Sequence, residues 1–396
     1  MQCGRPLLLR QPLPPDAFDQ VILGCVNVVA DEMNPARVAA LRLGMGEAMT
    51  AFTVQINCGS GMQSIDTAYR YIREGVSDLV LAGGAESLSH APLVFSNRAV
   101  NWYARLFAAR GFPAKLAAFL DFRPSFLTPV ISLERGLTDP ITDLGMGQTA
   151  ELVGHLFHIS RRQADEYAAE SQQRLATAQK NGYLAGEIEP AFARDGTVFD
   201  HDDGVRPDST ADSLAKLRPA FERPWGKVTP GNSSQISDGA SWVILASEAA
   251  VKEHKLTPKA VIVDSEWSAL DPSVMGLGPV YCSTAILKRH QLALGDIELW
   301  ELNEAFAAQV LGCLAAWADA EFFHDALGLN GAAGRIPRDR LNVDGGAIGV
   351  GHPVGASGNR IVLHLVNAMK RLGCKRGIAT ECIGGGQGGA MLIEAI

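Results

Sequence analysis

Apolar residues along the chain follow two different spacings. Short, almost continuously apolar runs, Gln20 to Val26, Asp78 to Ala82, Lys259 to Asp264, Ile297 to Glu301 and Gly377 to Thr380, read as strands covered on both faces. Between them lie stretches with helical spacing, such as Ser64 to Glu74 and Gly358 to Leu372. Alternation of the two predicts an α/β chain whose parallel or mixed sheet is covered by helices. The pattern also repeats. Ala51 to Ser87 runs strand, Cys58-Gly59-Ser60-Gly61 turn, helix, strand, then a glycine-rich bend, Ala82-Gly83-Gly84-Ala85. Leu341 to Leu392 runs strand, a turn from Gly351 to Gly358, helix, strand, then Cys382-Ile383-Gly384-Gly385-Gly386. Two such halves packed back to back would bring Cys58, His352 and Cys382 to one crevice at strand C-terminal ends.

The middle of the chain breaks this rhythm. Ala91 to Gln235 holds Pro-rich turns, a helical run from Ser160 to Asn181 and an acidic loop, Asp200 to Asp203, which predicts an inserted loop domain lying over the crevice. The expected division is residues 1–89 with 238–257 as the first half, 90–237 as the loop domain and 258–396 as the second half. Within the insert, Arg98 to Phe122 sets Trp102, Leu106, Phe107, Leu116 and Phe119 between Arg105, Arg110 and Lys115. This amphipathic, basic segment reads as a substrate lid or oligomer contact, or as a dock for a membrane surface or partner subunit.

Size and charge narrow the function. A chain of 396 residues can bury a large core without disulfides, and its seven cysteines are scattered without CxxC or Cys/His metal spacing. Reduced thiols in a cytoplasmic setting, and no metal, are expected. A net charge of −8 argues against nucleic-acid binding. No run reaches the length of a transmembrane segment; Ala305 to Ala318, interrupted by Gln309, reads as a buried helix. Met1 to Pro15 has an apolar Leu7 to Leu9 but no small-residue cleavage pattern, so no secretory signal is expected there.

The candidate chemistry centres on Cys58. A thiol placed where a strand gives way to a helix meets unpaired N–H groups and the helix dipole, which favour the thiolate. Each candidate has a plainer reading: Cys58 and Cys382 as buried small hydrophobes, His352 as a hydrogen-bonded turn residue, Asn303 as the cap of a helix beginning at Glu304.

In this order and spacing, the Cys58-Gly59-Ser60-Gly61 turn, Asn303-Glu304-Ala305-Phe306, Gly351-His352-Pro353 and Cys382-Ile383-Gly384-Gly385-Gly386 resemble the thiolases, from about Asp19 onward. Met146 to Glu151, Leu214 to Phe221 and Val228 to Ser234 are similar to that family's coenzyme A-binding loop-domain segments. The resemblance implies a duplicated thiolase fold with the inserted loop domain, and an acyl-CoA C-acyltransferase that cleaves 3-oxoacyl-CoA or condenses acetyl-CoA through an S-acyl cysteine. It implies Cys58 as nucleophile, His352 as its base, Cys382 as the acid/base at the acetyl carbon, Asn303 as holder of an oxyanion-hole water, and the N–H groups of Cys58 and Gly384 as a second oxyanion hole. For the carrier it places Arg206 near the adenine or phosphates, Pro230 and Ser234 along the pantetheine, and Met146 and Phe306 at the acyl end. Acyl-CoA and CoA are then substrates, with no further cofactor, and the assembly is a homodimer, a homotetramer or a trifunctional-type hetero-complex.

Three departures accompany the resemblance. The family's opening strand, expected in the middle of the first sheet, has no residues in this chain. Gly145 stands where short-chain biosynthetic relatives carry a histidine. Trp317 to Arg340 lengthens the interval between Asn303 and His352, as in fatty-acid-degrading relatives. A non-catalytic subunit of the same fold and a decarboxylating condensing enzyme are the competing readings; the latter wants a histidine in place of Cys382.

Overall fold

A computed structural model describes residues 1–396. The first half opens with a short helix α1 (Gly4–Leu9), then strand β1 (Gln20–Gly24), α2 (Pro35–Arg42), β2 (Thr50–Val54), α3 (Ser60–Arg73) and β3 (Leu79–Ser87). The insert follows: β4 (Leu93–Val94), α4 (Asn97–Ala108), α5 (Phe112–Leu120), β5 (Val130–Ile131), α6 (Ser132–Gly136), α7 (Met146–Leu156), α8 (Arg161–Lys180), the hairpin β6 (Ala191–Phe192) and β7 (Val198–Phe199), and α9 (Ala211–Leu214). The chain then returns to the first sheet as β8 (Asp238–Ala246), followed by α10 (Glu248–Glu253). The second half comprises β9 (Ala260–Ala269), α11 (Gly278–Arg289), β10 (Leu299–Leu302), α12 (Ala307–Trp317), α13 (Ala320–Leu327), α14 (Ala347–Val350), α15 (Val354–Leu372), β11 (Arg376–Ile383) and β12 (Gln387–Ala395).

The two four-stranded sheets have the orders β2-β1-β3-β8 and β10-β11-β12-β9. They stack with helices between and outside them. Strand side chains alternate between the two faces, so Ile22, Val80 and Ala82 of the first sheet and Leu299, Ala379 and Met391 of the second face one shared core with Met62 and Ile65 of α3 and Ile361 and Leu365 of α15. Val21, Leu23, Leu79 and Leu81 face the other way, against Ala36 and Ala40 of α2 and Leu8 of α1. Trp300, Ile378 and Leu392 pack outward on α8, α11 and α12. Burial on both faces explains why the strands read as unbroken apolar runs.

Superposing the halves by topology pairs β1 with β10, β3 with β11 and β8 with β12. Each first-named strand pairs parallel with the next (β1 with β3, β10 with β11), and each third strand joins antiparallel (β8 on β3, β12 on β11). Three sequence expectations change here. The strand expected at Leu341, opposite β2 in the repeat, is a single bridge, Trp300–Leu341. Gly83 and Gly84 lie inside β3 and form no bend; a side chain on Gly84 would meet the Gly355 carbonyl at 2.3 Å, so glycine there lets the start of α15 touch the strand. Nor does the first sheet have a vacant central position. Its four strands pair without interruption, and the place with no counterpart is at the edge: β9 covers β12 in the second sheet, whereas nothing pairs with the outer side of β8.

Candidate active site

The central helices bring the two halves' reactive turns together. α3 and α15 cross where glycine meets glycine: a Cβ on Gly61 would stand 2.7 Å from the Asn359 nitrogen, and one on Gly358 would stand 2.6 Å from the Met62 nitrogen. Only backbones fit at that spacing. Cys58 precedes α3 by two residues and His352 precedes α15 by two, so the crossing fixes both turns on one side of the molecule.

The Cys58 turn closes on itself, with Ser60 Oγ accepting the Ile56 N–H at 2.9 Å and donating to the Asn57 carbonyl at 2.7 Å. Asn57, at φ 47°, then reaches into the other half: its Nδ2 donates to the Gly384 carbonyl at 2.7 Å. That bond aligns the glycine bend after β11 with the thiol, and the Gly384 N–H supports the sulfur as a donor. Even so, burial wins over the donors and pushes the Cys58 thiol up to about 12. The thiolate expected from the helix start is therefore not the resting form. Cys58 rests as a neutral thiol.

His352 is buried and Cys382 is fully so. The His352 ring nitrogen Nδ1 lies 2.6 Å from Ser357 Oγ, and that hydroxyl donates to the Pro353 carbonyl at 3.1 Å. With its proton committed, Ser357 can only accept from Nδ1–H, which leaves Nε2 as the bare, basic nitrogen. Burial, aided by the positive charge of Arg360, lowers His352 to about 4. Asn303 Nδ2 stands 3.4 Å from Nε2, and Asn303 Oδ1 is buried with no hydrogen-bond partner. Asn303 is not a helix cap: α12 starts at Ala307, behind Phe306. Its position is set instead by its N–H, which bonds the Thr380 carbonyl of β11 at 2.9 Å.

Cys382, at the end of β11, sits in an apolar cluster with Met275, Ala305, Met146 and Phe306. Its thiol is raised well above its ordinary value, first by burial and next by the charge that Cys58 would carry. The two sulfurs are near enough to oppose each other's ionisation. Ser234 is stitched to the same region through its N–H, which donates to the Ala305 carbonyl at 3.0 Å beside a Ser233–Phe306 bridge. Pro230 and Arg206 lie on exposed loop segments; the Arg206 N–H donates to Gln172 Oε1 at 2.8 Å. No group of three or more His, Cys, Asp or Glu side chains has a metal-holding arrangement.

Several supporting residues escaped the sequence reading. Ser357 sets the His352 tautomer and Asn57 bridges the halves. Glu86 accepts the N–H groups of Val26, Asn27 and Gly355 at 3.0–3.1 Å, clamping the loop after β1 to the start of α15. Glu304 is buried and accepts from Tyr167 (2.8 Å), Ser171 (2.6 Å), Asn342 (3.0 Å) and the Ile348 N–H (3.2 Å), fastening α8 beside Asn303. The one available signal was a charged residue directly before the apolar run Ala305 to Ala308.

Comparison with known proteins agrees with this architecture. The family description "Thiolase, N-terminal domain" matches residues 2–249 and "Thiolase, C-terminal domain" matches residues 256–395. A probable acetyl-CoA acyltransferase of Staphylococcus epidermidis is 37% identical over 394 residues, 98% of this chain and 90% of that protein. A beta-ketoadipyl-CoA thiolase of Pseudomonas aeruginosa is 38% identical over 96% of this chain and 88% of its own length. The crystal structure of human mitochondrial 3-ketoacyl-CoA thiolase in complex with CoA superposes with a TM-score of 0.85 at 36% identity, covering 100% of this chain and 91% of that one. The chain belongs to the thiolase family of acyl-transferring enzymes.

Proposed function

We propose that this thiolase cleaves 3-oxoacyl-CoA with CoA, and in reverse condenses acetyl-CoA, through an acyl group carried on Cys58. His352 Nε2 takes the Cys58 proton as the sulfur attacks the 3-oxo carbon. The bond between C2 and C3 breaks, its electron pair passes to the acetyl fragment, and the Cys382 thiol delivers a proton to C2, releasing acetyl-CoA. CoA then gives its thiol proton to the Cys382 sulfur, attacks the Cys58 thioester and leaves as the shortened acyl-CoA, while Cys58 regains its proton from His352. Donors at the Cys58 and Gly384 N–H groups stabilise one oxyanion, and a water held by Asn303 beside His352 stabilises the other.

The observation that carries this reading is the convergence of the two halves: Asn57 bonds the Gly384 carbonyl beside Cys58, Cys58 and Cys382 are near enough to oppose each other's ionisation, and His352 is held neutral with its bare Nε2 beside Asn303. Charge appears only as the substrate reacts, when the oxyanion donors can stabilise it. The apolar surroundings of Cys382 support an apolar acyl end. Seven free cysteines support a reducing, cytoplasmic setting, and the half-open edge of β2 offers a pairing surface for a homo-oligomer.

Intact mass after incubation with acetyl-CoA tests the proposal. An acetyl adduct is expected on the parent protein and absent from Cys58→Ala; an adduct of equal yield on the variant would move the nucleophile elsewhere.

A further inference from the structure

The hairpin of α4 and α5 presents an apolar face that nothing covers. Its two helices pack on each other, and α4 also packs on the turn at Pro124–Leu127. They enclose a small core of their own around Trp102, whose indole N–H donates to the Ala118 carbonyl at 2.8 Å and whose ring meets Tyr103, Phe122 and Phe126 with centroids 4.8, 5.2 and 5.9 Å away. The unit is thus preformed. Its outer side chains are not drawn into that core: α5 has no buried residue, and Phe107, Phe112, Phe119 and Leu120 are 83, 77, 62 and 70% exposed. Phe112, Leu116, Phe119 and Leu120 recur at i, i+4, i+7 and i+8, so they form one stripe.

Charge says what fits the stripe. Between Phe95 and Leu127 the chain carries five basic side chains (Arg98, Arg105, Arg110, Lys115, Arg123) against one acid, Asp121, although the whole protein has a net charge of −8. All five are exposed. Aromatic and leucine side chains flanked by cations match the boundary of an anionic bilayer, where rings enter the headgroup region and basic groups meet phosphate. A second copy pairing the same face would set five cations against five. We propose that the α4–α5 hairpin docks this enzyme peripherally on anionic lipid membranes, independently of the chemistry at Cys58.

Flotation of the full chain with phosphatidylcholine vesicles, with and without phosphatidylglycerol, tests this. Binding is expected only to the anionic vesicles and should be lost in about 0.5 M salt. Arg110→Glu with Lys115→Glu should weaken partition roughly 30-fold or more, and Phe112→Ser with Phe119→Ser should abolish it, both with thiolysis of soluble acetoacetyl-CoA unchanged. The proposal is overturned if the parent stays unbound, or if it binds neutral and anionic vesicles alike and ignores the charge reversal. It is also overturned if the phenylalanine variant changes the oligomeric state while vesicle binding persists, which would assign the stripe to a protein contact. Should that variant unfold the hairpin, the charge-reversed protein, altered only at exposed positions, still decides.

Discussion

The first and second sheets share three strands and differ at both margins. Where the first has β2, the second has only the bridge at Leu341; where the second has β9, the first ends on an unpaired β8 beside a 690 Å³ groove lined by Leu7, Arg10, Leu184, Glu187, Trp242 and His364. The reactive groups ignore these margins in one respect: they hang on the inner helix crossing and on the ends of β10 and β11. Cys58 follows β2, three strands or roughly 14 Å from the bare edge of β8. An unpaired margin therefore costs apolar cover and backbone pairing on the outside while the crevice keeps every group that the proposed chemistry uses.

If the two halves contribute unequal chemistry to one site, variants within the second half should separate. His352→Ala and Cys382→Ala should each lower thiolysis roughly 10²- to 10⁴-fold, but only the histidine change should also slow alkylation of Cys58 by iodoacetamide, a step that has no leaving CoA for Cys382 to protonate. Alkylation rates followed by intact mass distinguish them, and equal slowing of alkylation by both would merge the two roles.

Next in size is the contact that joins the halves. Gly358→Ala would set Cβ 2.3 Å from Glu381 Oε1 and 2.6 Å from the Met62 nitrogen, whereas a Cβ on Gly295 meets nothing within 4 Å. Urea denaturation should show a loss of about 3 kcal/mol for the first and almost none for the second. Equal stability of the two variants would mean that the helices can part without cost.

A smaller effect should come from the ion pair that ties the insert to α15. Burial alone would lower His364, yet Glu301 and Glu187 raise it to about 9, with Nδ1 2.7 Å from Glu187 Oε1. A histidine raised in the folded state stabilises fully below its ordinary value of 6.5 and loses that contribution as pH climbs through 9. Glu301, pushed up to about 7 by burial, opposes it with a penalty that is complete above that pH. What remains between about pH 7 and 10 is the loss of the histidine's contribution, visible as a fall in melting temperature that His364→Gln removes. An unchanged pH profile in that variant would count against the pair.

The smallest signal concerns the proposed nucleophile. With its thiol at about 12, Cys58 should be alkylated by iodoacetamide about tenfold faster per pH unit from neutrality to pH 10. A plateau below pH 7 would reveal a resting thiolate and imidazolium instead.

Much of this was legible before the structure. The strands survive within a few residues because burial on both faces leaves a continuous apolar run, and the helices behind Cys58 and His352 are marked by their glycine turns. What could not be read are outcomes of competition in three dimensions. Local sequence says that a helix start favours the Cys58 thiolate, but the turn packs against Trp267 and Ile383 of the other half, and burial there outweighs the donors. Gly83 and Gly84 look like a bend in one dimension; their reason is α15 and Trp242 pressing on β3. The strand without a counterpart looked central because order along the chain does not give order across a sheet. Ser357, Asn57 and Glu86 are polar residues of ordinary types whose partners lie in other segments.

Glu304 has a practical corollary for anyone who wishes to transplant the insert between relatives to change what the enzyme accepts. Two of its four donors, Tyr167 and Ser171, would travel with the graft, while Asn342 and Ile348 stay behind in the recipient. A swap that fails to restore both hydroxyls strands an anion in the interior next door to Asn303, so the seam of a working chimera is dictated by one carboxylate rather than by the boundaries of the exchanged region.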